Sequence, residues 1–121
     1  MQPKLPQNSY SHELTKLLGK ASGYILEARA IKARKDGNHS NLIRFLVQAA
    51  ELEEEAIQRL EAEGHTEDIY ISLVSAASCY QQAQHYEKAR QLFQQVLERP
   101  DVPVQMRAEV EHLINECKLG T

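Results

Sequence analysis

A chain of 121 residues, 42% hydrophobic and 26% charged with a net charge of −3, is long enough to bury one core without metal or disulfide support. It has no run of roughly eighteen apolar residues and no charged-then-apolar leader, which argues against membrane insertion and secretion and points to a cytoplasmic protein. Cys79 and Cys117 stand apart, with no CxxC pair and no histidine at zinc-finger spacing, so neither a disulfide framework nor a zinc site is indicated.

Residues 1–10 carry Pro3, Pro6, Gln7 and Asn8 and no periodicity, which predicts a flexible N-terminal tail before a single domain over 11–121. Ser9 or Ser11 can cap a first helix over 11–34, where Leu14, Leu17, Leu18, Ala21, Ile25, Ala28 and Ile31 recur at helical spacing. Gly19 and Gly23 each weaken that helix by about 1 kcal/mol relative to alanine, and close packing against a neighbour would explain them. The turn Asp36-Gly37-Asn38 follows.

A second helix over 40–63, capped by Asn38 or Ser40, is built on Leu42, Leu46, Ala49, Ala50, Ala56, Ile57 and Leu60 and stops at Gly64. Glu53 interrupts its stripe and is expected at the edge of the bundle. Thr66 caps a third helix over 66–83, with Glu67 and Asp68 favouring the positive end of its dipole. The fourth helix, 86–99, repeats the pattern with Tyr86, Ala89, Phe93, Val96 and Leu97. After Pro100 and Pro103 break the chain, Met106, Val110, Leu113, Ile114 and Cys117 define a fifth helix over 104–118.

Between Leu73 and Leu97 the third and fourth helices read as a hairpin, with Ala77 and Ala89 small where two antiparallel backbones approach. Leu73, Ala76-Ala77, Tyr80, Tyr86, Ala89, Phe93 and Pro100 follow, in order, the pattern of the tetratricopeptide repeat, which this stretch of about a quarter of the chain resembles. Ala77 and Gln84 stand where that family usually has Gly, and Pro100 sits about one residue early. The expected fold is therefore all-α: antiparallel hairpins stacked as a tetratricopeptide-like superhelical bundle of about five helices.

The resemblance implies a scaffold or binding module rather than an enzyme. In that family the inner face of a repeat's first helix lines a groove for an extended peptide, and here the face falls on Ile71, Val74, Ser78, Gln81 and Gln82. Members that clamp a terminal carboxylate place Asn and Lys or Arg on this face; Val74, Ser78 and Gln82 do not serve that purpose. A competing reading has Ile71 and Val74 packing on the neighbouring hairpin instead.

Arg29, Lys32, Arg34, Lys35 and Arg44 are expected to gather around the first turn as a modest basic patch. Before residue 50 the chain has eight Lys and Arg against three Asp and Glu, and after it six against fourteen, so the halves are oppositely charged. With a net charge of −3 and no aromatic expected in the patch, an acidic partner or the protein's own acidic half suits it better than nucleic acid, and a small regulatory bundle that recognises acidic or phosphate ligands is a further alternative to the binding module.

Glu109-x-x-His112 has the spacing of a carboxylate-bridged metal motif, but one copy on a polar face is insufficient for such a site. His12, His39, His65, His85 and His112 fall mostly at predicted turns and helix ends, and no nucleophile motif or phosphate loop occurs, so no cofactor and no catalysis are expected. About three stacked repeats are the usual minimum for stability, whereas only one is recognisable here. Leftover apolar surface on the first helix, at Leu17, Leu26 and Ile31 beside Gly19, Ala21 and Gly23, would suit a symmetric homodimer; the alternative is a self-sufficient monomer.

Overall fold

A computed structural model describes residues 10–34 and 39–120, and among them five α-helices and no strand occur. The helices are α1 (His12–Arg34), α2 (His39–Ala62), α3 (Ile69–Gln82), α4 (Tyr86–Leu97) and α5 (Val104–Gly120). Each packs on its neighbours in sequence, so α1 and α2 form one antiparallel pair, α3 and α4 a second, and α5 covers α4. None of the described helices is long and apolar enough to cross a membrane. Ser9, Lys35 and the turn Asp36-Gly37-Asn38 lie outside the described residues.

The start of α1 is fixed by a cap shared between two helices. The Ser11 hydroxyl accepts from the Leu14 amide at 3.1 Å and donates to Glu63 at 2.5 Å, and the Ser11 amide donates to the same carboxylate at 3.1 Å. One orphan amide of the first turn is thereby satisfied, and the end of α2 is tied to the start of α1. Glu13 pairs with Arg59 one turn further along. Tyr10, assigned by sequence to the tail, instead donates to Asp68 at 2.5 Å and meets the His65 ring edge-on at 4.6 Å.

Both α2 and α3 end by the same device. Gly64, at φ 81°, lets the His65 amide reach the Leu60 carbonyl at 2.8 Å while its own amide reaches Glu61. Gln84, at φ 68°, does the same, with the His85 amide on Tyr80 at 2.8 Å and its own on Gln81. This double bond pattern satisfies carbonyls at the helix end and requires a left-handed residue, where glycine carries no Cβ penalty. Gln84→Gly is therefore expected to raise the unfolding free energy by about 0.5 to 1 kcal/mol, as the relief of left-handed strain exceeds the entropy glycine adds to the unfolded chain. A denaturation midpoint that falls would contradict this.

Two expected caps are corrected. Thr66 does not cap α3: Thr66–Asp68 forms a 3-10 turn without a side-chain cap, and the Asp68 carboxylate, the natural capping group, is held by Tyr10. Ser40 lies inside the first turn of α2 rather than before it.

The core is dominated by small side chains, with Ala49, Ala50, Ala56, Ala76, Ala77 and Ala89 fully buried and Tyr80 and Phe93 its largest members. The fully buried Val110 and Cys117 of α5 complete it, together with Val102 from the preceding turn. Arg107 caps α4 by donating to the carbonyls of Leu97, at 2.8 Å, and Arg99. On α1, Ile31 is buried and Leu17 partly so, whereas Leu26 is 63% exposed. Gly19 and Gly23 do not mark close packing, because a Cβ at either position would meet nothing within 4 Å.

Candidate functional site

α1 and α3 both run antiparallel to α2 and pack on it rather than on each other, and two pockets between them, one toward each end, mark a crevice with α2 as its floor. At one end it is lined by Arg29 and Lys32 of α1, Leu42 and Leu46 of α2, and Cys79 and Gln82 of α3. At the other end Leu18 of α1, Glu53 and Leu60 of α2, and Ile71 and Ser72 of α3 line it together with Tyr10 and Asp68.

The residues named for a groove divide along this geometry. Ile71, 52% exposed, and Gln82, also exposed, line opposite ends, and Ser78 stands on the same helical stripe between them. Val74 and Gln81 are partly exposed and sit roughly 60 to 80° further round α3, away from α1. Ser72 and Cys79, not expected on the groove face, line the two ends beside Ile71 and Gln82 respectively.

The basic residues divide too. Arg29 and Lys32 meet in the crevice, and Arg34 is exposed in the last turn of α1. Arg44 stands on the far side of α2 from Leu42 and Leu46, its guanidinium 5.2 Å from the Phe45 ring centre, and Phe45 stacks on Tyr24 at 5.7 Å. An aromatic does accompany a cation here, contrary to the expectation from sequence. Lys35 lies outside the described residues.

Glu53 is the largest departure from the sequence expectation. It is not at the edge of the bundle but 7% exposed on the crevice floor, accepting a bond from the Ser72 hydroxyl at 3.4 Å. Burial pushes its carboxyl above the ordinary value, and bonds from Ser75 and Ser72 oppose the rise. A carboxyl whose folded pKa exceeds its unfolded one favours folding when protonated, and that contribution is lost as pH rises through the folded value. Glu53→Gln is therefore expected to match the parent near pH 4.5 and to become progressively more stable than it toward pH 8. Denaturation midpoints across that range check it, and parallel curves would contradict it. Glu63 behaves oppositely: bonds from Ser11 lower its pKa, so its contribution is present above the unfolded value and is lost as pH falls through the folded one.

The remaining polar groups are tied into the fold. The Tyr80 hydroxyl donates to Glu54, which also meets Lys88 at 3.5 Å, so one carboxylate joins α2, α3 and α4. Burial first, and then the Glu54 bond and charge, hold the Tyr80 phenol above its ordinary pKa. Burial likewise raises the Cys79 thiol to about 11, with Glu53 adding to the rise and Arg29 opposing it. Glu109 and His112 are exposed on α5, and the His112 ring lies 2.9 Å from Glu116. Among the described residues no three His, Cys, Asp or Glu side chains converge in a metal-holding group.

Compared with family models, curated proteins and solved structures, the chain matches none.

Proposed function

We propose that this protein is a non-enzymatic helical-repeat module of the tetratricopeptide kind that binds an extended segment of a partner protein in the crevice between α1 and α3. The observation carrying this reading is the apolar Ile71, 52% exposed beside the pocket formed by Leu18, Leu60 and Ser72, with the Gln82 amide at the other end. Apolar surface left on a shelf flanked by hydroxyls and amides suits a peptide, whose side chains fill the pocket while its backbone bonds the polar groups.

The test is selection of random dodecapeptides on the immobilised full chain, with binders measured again on Ile71→Ser combined with Gln82→Ala. Both positions are exposed and uncharged, so the fold and net charge are kept. Removing the Ile71 contact area and one amide is expected to weaken crevice binders about tenfold or more. Recovery only of peptides indifferent to the double substitution would overturn the proposal.

A second reading, self-association through α1, is favoured by Leu26, 63% exposed on a helix where Gly19 and Gly23 leave open space for a close backbone approach. Sedimentation equilibrium separates the two: a single 13.8 kDa species at micromolar concentration removes the dimer.

A further inference from the structure

Resting on the crevice reading, the two ends of the shelf differ in charge in a way that specifies its occupant. At one end Glu53 and Asp68, each 7% exposed, stand among Leu18, Leu60 and Ile71. Their partners there are hydroxyls, Ser72 for Glu53 and Tyr10 for Asp68, and among the described residues neither carboxylate is ion-paired. At the other end Arg29 and Lys32 stand beside Leu42 and Leu46, likewise without an ion pair among the described residues. Cys79 and Gln82 of α3 line this second end as well.

A buried carboxylate loses hydration that neutral hydroxyls restore only in part, and an arriving ammonium or guanidinium restores much more. The apolar walls suit the methylene stem of such a side chain. From Ser72 to Gln82 α3 advances ten residues, roughly 15 Å at about 1.5 Å each. An extended peptide covers that span in four to five residues at about 3.3 Å each. Side chains alternate along an extended chain, so two anchors facing the same shelf are an even number apart, which selects four.

We infer that the crevice takes an extended peptide bearing a Lys or Arg that seats at Glu53 and Asp68 and, four residues away, an Asp or Glu that seats at Arg29 and Lys32.

The same dodecapeptide selection tests this by composition. Enriched binders that depend on Ile71 and Gln82 are expected to carry a basic and an acidic residue at that spacing. In fluorescence anisotropy, Glu53→Gln is expected to weaken the best of them about tenfold or more. Citrulline in place of the peptide's arginine is expected to do the same, and this arm leaves the protein untouched should the variant fold poorly. Arg29→Glu with Lys32→Glu is expected to weaken binding, and exchanging the peptide's acid for lysine to restore it.

Crevice-dependent binders that lack the basic residue, or that ignore both Glu53→Gln and citrulline, would overturn this inference while leaving the peptide-binding reading standing. Binders indifferent to Ile71→Ser with Gln82→Ala would overturn both. A peptide-free dimer that Glu53→Gln dissolves would show that a second copy fills the shelf, and would overturn the peptide assignment.

Discussion

Phe93→Ala is expected to lower the unfolding free energy by about 3 to 5 kcal/mol, the range for removing a buried aromatic ring. Phe93 is fully buried in a core where Ala76, Ala77 and Ala89 are buried too. Alanine lets helix backbones come close but supplies little volume, so a few large side chains do most of the filling. When one is removed, short neighbours cannot swing into the space, and the cavity persists. Chemical denaturation of the purified variant checks the value; a loss below about 1 kcal/mol would mean that the core collapses around the site or is not packed as described.

Ala89→Leu is the complementary experiment, and the expected cost is about 1 to 3 kcal/mol from overpacking. Ala77 and Ala89 are both fully buried in the α3 and α4 pair, so added methylenes there must displace a neighbour or part the helices. The contrast with an exposed site is direct, since α1 offers open space at Gly19 and Gly23. An unchanged denaturation midpoint for Ala89→Leu would remove the close approach of α3 to α4.

Helix identity was legible because each helix carries an apolar stripe at spacings of three and four, and those stripes supply most of the buried positions. Stops were legible where one residue type carries the backbone geometry, as Gly64 does for α2. Gln84 was harder, because a left-handed glutamine carries no composition signal. What the sequence hid is what depends on distant partners. Asp68 reads as a first-turn acid, yet its carboxylate is committed to Tyr10, 58 residues earlier, and α3 begins later as a result. Glu53 reads as a solvated break in a stripe, but hydroxyls from α3 let it stay inside. The interruption itself was the signal: a carboxylate on a core face is either at an edge or held by a partner, and only tertiary packing distinguishes these.

The crevice was half legible for the same reason. Its α3 wall lies along one helix face, on which Ile71 and Gln82, expected from sequence as groove contacts, line the two ends. Its α1 wall was not read as part of it, because α1 and α3 are brought together by α2 rather than by any pattern they share. Arg29 and Lys32 were grouped instead with Arg44, which is near them in height but faces another side of α2.

The central claim is that the shelf between α1 and α3 is the binding surface, and amide chemical-shift mapping tests it most directly. The full chain, labelled with nitrogen-15, is titrated with the strongest selected dodecapeptide. The account predicts that the largest shifts fall on Ile71, Ser75, Ser78 and Gln82 of α3 and on Ile25, Arg29 and Lys32 of α1, with α5 unaffected. Shifts confined to α4 and α5, or spread without focus over all five helices, would contradict it.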